Sequence, residues 1–243
     1  MDIVYQAAAL KQVPSCEFNP YEAVKTNIIG VRNLIEAAIE NNVEKVIAVS
    51  TDKAVKPVNV MGMTKAIQER LITTANGSGT VFACVRYGNV LGSRGSVVPL
   101  FRELIDAGKD VEVTDNRMTR FILTLDEAIE LVFKATTDAE GGETFVRKSP
   151  ALRIMDLAQV MTSGTKSRVV VSKPRPGEKI HEILVSEDEM RRSKEEKEHF
   201  IISSHMDSKF SNANDTEFSS DRTKMFSKEE IKALLRREKW LSS

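Results

Sequence analysis

The sequence predicts an α/β protein organised around a mostly parallel β-sheet. Short apolar runs alternate along the chain with amphipathic segments of ten or more residues, which is the pattern of repeated strand–helix–strand units. The run VIAVST (46–51) is apolar without alternation, as is typical of a strand buried on both faces. The 243 residues, 41% hydrophobic and 29% charged, suffice for one large domain or two small ones.

Turn and capping residues assign the elements in order. Asn19 and Pro20 predict a helix N-terminus, because an Asn side chain caps well and Pro fits the first turn. Gly108 predicts the end of a later helix. The predicted elements are a strand in DIVYQAAAL (2–10), a helix from Pro20 to Ala38, the strand VIAVST, a helix MTKAIQERLITTA (63–75) that begins after Gly62, a strand TVFACVRY (80–87), helices VVPLFRELIDAG (97–108) and LDEAIELVFKAT (125–136), and a strand ETFVRK (143–148).

The C-terminal part of the chain has a different character. From Ser186 to Ser227 it is polar and rich in charge, which predicts short helices and irregular segments. SKEEIKALLRR (227–237) then predicts a closing helix, because Ser227 and Glu230 have the spacing of a capping box.

Composition argues against several classes of protein. Lys+Arg and Asp+Glu both number 35, so no nucleic-acid-binding surface is implied. No apolar run approaches the roughly 18 residues that span a bilayer, and MDIVYQAAAL lacks the basic region of a signal peptide. We therefore expect a cytoplasmic protein without a membrane segment. Cys16 and Cys84 are expected to be ordinary thiols, and the three histidines lack ligand spacing, so no metal site is expected.

Ligands of parallel sheets bind beyond the carboxyl ends of the strands. This rule indicates AAALK (7–11), STDK (50–53) and RYGNVLGSRGS (86–96). In the second stretch, Asp52 and Lys53 put an acid and a base beside hydroxyl groups, which suits general acid–base chemistry. The alternative is a capped turn with two solvated charges.

Other candidates are weaker one by one. Lys65 could hold a cofactor ribose or be an exposed helix lysine. The glycines near Arg94 would let backbone amides approach a phosphate, or belong to an ordinary loop. Arg117, Arg120 and RPGEKIHE (175–182) could clamp a diphosphate or be surface charge.

Several stretches considered together are much more specific. They are AAALKQVPSCEFNPYEAVKTNIIG (7–30), VSTDKAVKPVNVMGMTK (49–65), VRYGNVLGSRGSVVPLF (85–101), RMTRF (117–121) and RPGEKIHEILVSEDE (175–189). The chain resembles the nucleotide-sugar 4,6-dehydratases of the extended short-chain dehydrogenase/reductase superfamily from residue 1 to about 240. It is most similar to the UDP-N-acetylglucosamine 4,6-dehydratases of polysaccharide and pseudaminic acid biosynthesis.

The resemblance implies a Rossmann-like parallel sheet that lacks its first strands, with a small C-terminal substrate-binding subdomain. Residues 1–145 would form the C-terminal part of the NAD(P)-binding domain, with 90–115 also contributing to substrate binding. Residues 146–243 would form the substrate-binding subdomain and a polar tail. The family also suggests a homo-oligomer.

The implied enzyme is a lyase. It converts UDP-N-acetylglucosamine to a UDP-4-keto-6-deoxy sugar by oxidation at C4, loss of water across C5 and C6, and hydride return to C6, with tightly bound NADP or NAD. By resemblance, Asp52 protonates the departing C6 hydroxyl, Lys53 takes the C5 proton, and Thr51 hydrogen-bonds the C4 oxygen. The other implied site residues are Ala7, Ala8, Ala9, Lys65, Tyr87 and Asn89 for the cofactor, and Lys11, Asn89, Arg94, Arg120, Arg175 and Glu178 for the UDP-sugar.

The chain departs from the family pattern in two places. The usual Tyr-x-x-x-Lys has Met61 in place of the tyrosine and keeps Lys65. Because methionine has no proton to exchange, the C4 proton must pass to Asp52, Lys53 or a water held by Thr51, as a methionine-bearing subset of the family would also require. The chain also has no glycine-rich G-x-x-G-x-x-G turn to cradle a pyrophosphate. We therefore expect a truncated chain or a separate chain that supplies this part, weak cofactor binding by the chain alone, and an exposed apolar sheet edge.

Two other functions are open at this point. A nucleotide-sugar epimerase or reductase would use the same scaffold, but an epimerase would need the tyrosine that Met61 replaces. An inactive partner subunit or fragment would explain the missing glycine-rich turn, but Asp52, Lys53 and Lys65 are all retained.

Overall fold

The structure of the chain is a computed structural model that describes residues 2–75, 79–206 and 209–241. The chain forms two compact units whose segments alternate along the sequence. Unit 1 consists of Met1–Tyr87, Asp126–Lys148 and Ile183–Phe218. Unit 2 consists of Gly88–Leu125, Ser149–Glu182 and Ser219–Ser243. The single domain boundary expected after residue 145 differs from this division, because the chain leaves unit 1 after Tyr87 and returns to it twice.

The strands and helices are numbered in chain order. The strands are β1 (Ile3–Gln6), β2 (Lys45–Val49), β3 (Val81–Arg86), β4 (Asn89–Val90), β5 (Val111–Val113), β6 (Thr119–Leu123), β7 (Thr144–Arg147), β8 (Ala151–Arg153), β9 (Val169–Val171), β10 (Ile183–Val185), β11 (Ser193–Glu195), β12 (His199–Ile202) and β13 (Phe218–Ser219). The α-helices are α1 (Val13–Phe18), α2 (Pro20–Val24), α3 (Gly30–Glu40), α4 (Val60–Thr74), α5 (Val97–Asp106), α6 (Leu125–Asp138), α7 (Ile154–Thr162), α8 (Glu187–Arg191) and α9 (Lys228–Arg237). A π-helical segment, Lys25–Ile29, joins α2 to α3, and a single 3₁₀ turn, Asp52–Ala54, follows β2.

Unit 1 is built on a six-stranded sheet in the order β1-β2-β3-β7-β12-β11. The first four strands are parallel, which confirms the predicted parallel sheet. Successive side chains of a strand point to opposite faces of the sheet, and in the central strands the side chains on both faces are buried. Val46 and Phe82 pack into a cluster with helices α3 and α4, whereas Ile47 and Ala83 pack into a cluster with α6. At the β1 edge of the sheet Tyr5 is 47% exposed, which agrees with the expected exposed apolar edge.

The prediction of short helices and irregular segments in the tail is confirmed in part: α8 is a short helix, but the tail also contains strands. Strands β12 and β11 pair antiparallel at the end of the unit 1 sheet, with Phe200 opposite Val146 of β7. Helix α8 before them has a full capping box, formed by Ser186 and Glu189. The net polarity of the segment hid three apolar residues of β12, Phe200, Ile201 and Ile202, whose side chains are buried. The predicted closing helix is confirmed as α9, with Ser227 and Glu230 forming its capping box.

Two helix starts also differ from prediction. Asn19 lies at the N-cap position of α2, but its side chain donates to the Ser15 carbonyl instead of capping the helix. Helix α4 begins at Val60, before Gly62, because the side chain of Asn59 accepts a hydrogen bond of 2.8 Å from the Gly62 amide.

Unit 2 is assembled from short strands and three helices. Strands β4, β6 and β8 form one small sheet, and β5 pairs with β9 in another. Helices α5, α7 and α9 share a core in which Phe101, Leu157 and Leu235 are almost fully buried. Helix α5 ends as predicted before Gly108, whose φ of 67° is the left-handed conformation that favours glycine. No helix in the described part of either unit is long and apolar enough to cross a membrane.

A buried arginine joins three elements of unit 1. Arg86, at the end of β3, uses all five of its N–H donors: they bond to both carboxylate oxygens of Glu69 on α4, to both of Glu189 on α8, and to the Leu184 carbonyl, at 2.6–3.0 Å. Burial raises the pKa of the Glu189 carboxyl, but the charge of Arg86 outweighs burial and lowers that pKa to about 2. This cluster therefore fastens the returning segment of the chain to the parallel sheet.

Replacing Glu189 with Gln should weaken this cluster in a pH-dependent way. At pH 7 the free energy of unfolding should fall by about 2–3 kcal/mol, since hydrogen bonds to a buried charge are lost while Glu69 still neutralises Arg86. The pKa is depressed in the folded state, so the stabilisation is complete above about pH 5 and declines as pH falls towards 2. Urea unfolding should show wild type and variant converging between pH 5 and 3.

The control is Glu195→Gln, which removes an exposed ion pair to Lys148 and should change stability by less than about 0.5 kcal/mol. A gap between wild type and Glu189→Gln that stays constant down to pH 3 would contradict the assignment.

Candidate functional site

The turn that follows β2 brings an acid, a base and a hydroxyl together. Thr51 is extended and caps the 3₁₀ turn, and its hydroxyl donates to Asp52 Oδ1 at 2.9 Å. The ammonium of Lys53 lies 2.9 Å from the same oxygen. The three side chains that sequence reasoning grouped together are thus in direct contact.

Asp52 is fully buried, so the alternative of two solvated charges is wrong for this residue. Its second carboxylate oxygen, Oδ2, has no hydrogen-bond partner among the described residues, and the same is true of the hydroxyl of Ser50. A buried carboxylate oxygen without a partner is costly to the folded state. This arrangement suits a site in which a ligand hydroxyl supplies the missing hydrogen bond.

Helix α4 lies unusually close to this turn. A Cβ atom at Gly62 would overlap the carbonyl oxygen of Lys53, and only the hydrogen of glycine allows this approach. Sequence reasoning treated Gly62 as a residue that precedes the helix, and its role as a spacer was missed. A glycine in the first turn of an otherwise good helix was the available signal, since glycine there costs stability unless backbone packs against it.

Lys65 is buried, which excludes the alternative of an exposed helix lysine. Its ammonium donates to the Val49 carbonyl at 2.6 Å and to the Gln68 side chain at 2.7 Å. Burial lowers the pKa of Lys65 to about 8. Lys65 is therefore held at the carboxyl end of β2, the strand that also leads into Asp52.

Met61, at the position of the family's tyrosine, is 3% exposed. It packs with Cys16 and Ala23 in a small apolar cluster between α4 and the helices α1 and α2. A thioether in such a cluster serves packing and cannot exchange a proton.

Asn27 was missed by sequence reasoning. It is fully buried in the π-helical segment, where its amide nitrogen donates to the Thr64 hydroxyl and to the Leu10 carbonyl, both at 3.0 Å. Its side-chain oxygen accepts from the Leu10 amide at 2.9 Å. Asn27 therefore ties the loop after β1 to helix α4. A polar residue on the apolar face of a predicted helix was the signal, and π-helical turns often occur at functional sites.

The loop after β1 carries the residues predicted for the cofactor. The Gln6 side chain bonds to both the amide and the carbonyl of Ala8, which shapes the segment Ala7–Ala9. Lys11 is exposed beyond it. Tyr87 contributes its carbonyl, which accepts from the Asp52 amide at 3.2 Å, and burial raises the pKa of its phenol.

The remaining predicted residues belong to unit 2. Asn89 lies in β4, and its side-chain oxygen is buried without a partner among the described residues. Arg94 is exposed at the tip of the glycine-rich loop.

The three residues predicted downstream have other contacts. Arg120 donates to the carbonyls of Thr119, Ile180 and Lys179, so its guanidinium holds the segment RPGEKIHE (175–182) at two of its residues. The carboxylate of Glu178 accepts from the backbone amide of Arg175 at 2.9 Å, and the Arg175 side chain pairs with Glu112 at the surface. No group of His, Cys, Asp or Glu side chains within the described ranges is arranged to hold a metal ion.

A parallel α/β sheet with an acid–base turn after one strand and a buried lysine on the next helix defines the Rossmann-type class of extended short-chain dehydrogenases/reductases. Comparison with known proteins narrows this class. The family model of polysaccharide biosynthesis proteins matches residues 1–204, and the chain belongs to that family.

Its curated relatives carry different names. The chain is 45% identical to an "uncharacterized membrane protein" of Methanocaldococcus jannaschii, over 99% of this chain and 76% of the relative. It is 44% identical to an inverting UDP-N-acetylglucosamine 4,6-dehydratase of Campylobacter jejuni, over 84% of this chain and 62% of the relative. It is also 44% identical to a UDP-glucose 4-epimerase of Rickettsia canadensis, over 83% and 61%. The chain thus spans about three fifths of the dehydratase and the epimerase.

Solved structures agree on the fold. Pen from Bacillus thuringiensis superposes with a TM-score of 0.93 at 41% identity, over 100% of this chain and 77% of Pen. DesIV from Streptomyces venezuelae, a dTDP-glucose 4,6-dehydratase solved with NAD, superposes with a TM-score of 0.68 at 18% identity, over 74% of this chain and 63% of DesIV. The second similarity shows the fold alone.

The close approach of α4 to the turn Asp52–Ala54 can be tested with two helical glycines. Gly62→Ala should lower the free energy of unfolding by about 1–3 kcal/mol, because a methyl group must displace the Lys53 carbonyl. Gly30→Ala in α3, where a Cβ would lie 3.4 Å from the nearest atom, should raise stability by up to about 1 kcal/mol. Urea unfolding of both variants measures the difference. Equal effects of the two substitutions would show that α4 does not press on the turn.

Proposed function

We propose that this chain carries the catalytic acid–base pair of a nucleotide-sugar 4,6-dehydratase that acts on UDP-N-acetylglucosamine. The observation that carries the proposal is the buried Asp52–Lys53 pair, which has one carboxylate oxygen unsatisfied among the described residues. Elimination of water across C5 and C6 needs an acid and a base that act on adjacent carbons, and a bonded pair supplies both.

The Asp52–Lys53 pair can supply both the acid and the base without a change in its total charge. The ion pair and its tautomer, a protonated Asp52 beside a neutral Lys53, differ by one proton shift across the 2.9 Å contact. In the tautomer, Lys53 takes the proton from C5 while Asp52 gives its proton to the C6 oxygen, which leaves as water. That exchange restores the ion pair, so the elimination needs no proton from solvent.

Met61 removes the usual route for the C4 proton, and Thr51 offers another. Its hydroxyl donates to Asp52 Oδ1 at 2.9 Å, so a proton accepted by Thr51 from the C4 hydroxyl can pass to the carboxylate. The pair then begins the cycle as the Asp52 carboxylate beside a neutral Lys53: Asp52 takes the C4 proton through Thr51, the elimination leaves the ion pair, and Lys53 returns its proton to C5. The pair therefore ends each cycle in the state in which it began.

The unit 1 residues fit the nicotinamide end of a dinucleotide. Two of the three N–H donors of Lys65 bond to Val49 and Gln68, and within the described residues one donor remains for a ribose hydroxyl. The shaped segment Ala7–Ala9 would lie along the same ligand. When bound, NADP or NAD would supply hydride acceptance at C4 and hydride return at C6. A nicotinamide cofactor is proposed from the resemblance, and DesIV, which shares the fold, was solved with NAD.

An epimerase is the second candidate, since relatives with that name are as similar as the dehydratases. An epimerase has to remove and return the proton of the C4 hydroxyl without any elimination step, for which the superfamily's tyrosine is suited. Met61 in an apolar cluster favours the dehydratase. The UDP-sugar contacts of Lys11, Asn89, Arg94, Arg120, Arg175 and Glu178, the homo-oligomer and the cytoplasmic location stay predictions from the resemblance.

The reaction can be tested by incubating the chain with UDP-N-acetylglucosamine and NADP or NAD, and detecting loss of one water by mass spectrometry. The assay should be run with the chain alone and with the chain joined to the part of the Campylobacter enzyme that it does not match. Asp52→Asn and Lys53→Met should each lower turnover by about 100-fold or more, as expected for loss of an acid or base. Lys56→Met, which removes a surface ion pair three residues further on, is the matched control.

Three results have distinct meanings. Near-normal turnover in folded Asp52→Asn and Lys53→Met would refute the assigned roles. A C4 epimer without loss of water would establish the epimerase. No reaction by the joined chain, despite cofactor binding, would support an inactive subunit.

A further inference from the structure

The single tryptophan of the chain packs against the glycine-rich loop of unit 2, defined here as residues 88–96. Gly92 in this loop has a φ of 71°, in the left-handed region. A Cβ atom there would lie 2.5 Å from Cζ2 and 2.9 Å from Nε1 of Trp240. The indole therefore lies directly on the loop backbone, where a larger residue than glycine does not fit.

The end of helix α9 is shaped to place the indole there. Lys239 has a φ of 62°, and its amide donates to the Arg236 carbonyl while the Trp240 amide donates to the Leu235 carbonyl. These two bonds form a Schellman motif, which reverses the chain at the helix end. A non-glycine residue in this conformation costs about 1–2 kcal/mol. The Arg102 guanidinium also donates to the Trp240 carbonyl at 3.0 Å. The Schellman motif and the Arg102 guanidinium thus both fix the position of the Trp240 backbone.

The loop has two other fixed points. Gly88 lies on Phe121, since a Cβ there would meet the Phe121 Cβ at 2.5 Å. The Leu91 amide donates to the Leu123 carbonyl at 2.8 Å. Beyond Leu91 the loop exposes Arg94, and the Trp240 contact at Gly92 lies two residues before it.

We propose that Trp240 is a positioning residue that holds the glycine-rich loop in the conformation in which Arg94 meets the diphosphate of a nucleotide sugar. The identity of the ligand rests on the proposed function, whereas the positioning of the loop is a property of this chain without any ligand. A rigid aromatic ring suits this task, because it covers backbone with little loss of its own freedom. A loop held in its binding conformation loses less entropy when the ligand binds.

The first measurement is amide hydrogen exchange of the loop in the free chain. Trp240→Ala should increase exchange at Leu91, Ser93 and Ser96, whose amides donate within or beside the loop, by about tenfold or more. Trp240→Phe should restore much of the protection. The matched control is Leu234→Ala, which removes packing of the same helix α9 in the core of unit 2. Equal exchange in the Trp240→Ala and wild-type loops, or an equal increase in Leu234→Ala, would overturn the proposal.

A double-mutant cycle isolates the contact. Gly92→Ala and Gly108→Ala both place alanine at positive φ, but a Cβ at Gly108 has no neighbour within 4 Å. Gly92→Ala should therefore be the more destabilising in urea, and the excess should disappear in a Trp240→Ala background, since the clash is then removed. Additive effects of Gly92→Ala and Trp240→Ala would show that the two residues are not in contact.

The last measurement is calorimetric titration with UDP. Trp240→Ala should raise the dissociation constant about five- to tenfold, and Trp240→Phe by less. If wild type does not bind UDP while the exchange results hold, the nucleotide-sugar ligand is wrong and the positioning of the loop stands. If UDP binds equally to wild type and Trp240→Ala, the loop conformation does not control binding and the proposal fails.

Discussion

The approach of helix α4 to the turn after β2 is the constraint on which the rest of unit 1 depends. Gly62 allows the contact with the Lys53 carbonyl, and each following turn of the helix then meets a different partner. Lys65 reaches the end of β2, and Glu69 binds the arginine that fastens the returning segment. A shift of the helix by the thickness of a methyl group would disturb all of these contacts at once, since a packed interior does not absorb added volume.

The candidate site combines an apolar side chain on α4 with a buried polar side chain in the turn after β2. Met61 lies one residue before Gly62 on α4, yet it packs in an apolar cluster, while Asp52 lies buried with one oxygen unsatisfied among the described residues. By contrast, the buried polar side chains of Arg86 and Asn27 in the same unit are hydrogen-bonded. Such a contrast is typical of sites that are organised before the ligand arrives.

The sequence predicts the parallel strands and the acid–base turn well, because both are local patterns: continuous apolar runs, and polar residues where a run ends. It does not predict strands β11 and β12, since their pairing with β7 depends on contacts distant in sequence. Asn27 and Gly62 were missed for a related reason. The Asn27 amide and the missing side chain of Gly62 matter because of the backbone that packs against them. Only the folded structure shows that backbone.

The alternation of the two units along the chain has a consequence for synthesis on the ribosome. Strand β7 ends at Arg147, and its antiparallel neighbour β12 ends at Ile202, 55 residues later. At about 5–20 residues per second, the edge of β7 waits roughly 3–11 s for its partner while the second segment of unit 2, Ser149–Glu182, is synthesised. A chaperone that shields strand edges would have its opportunity in this interval.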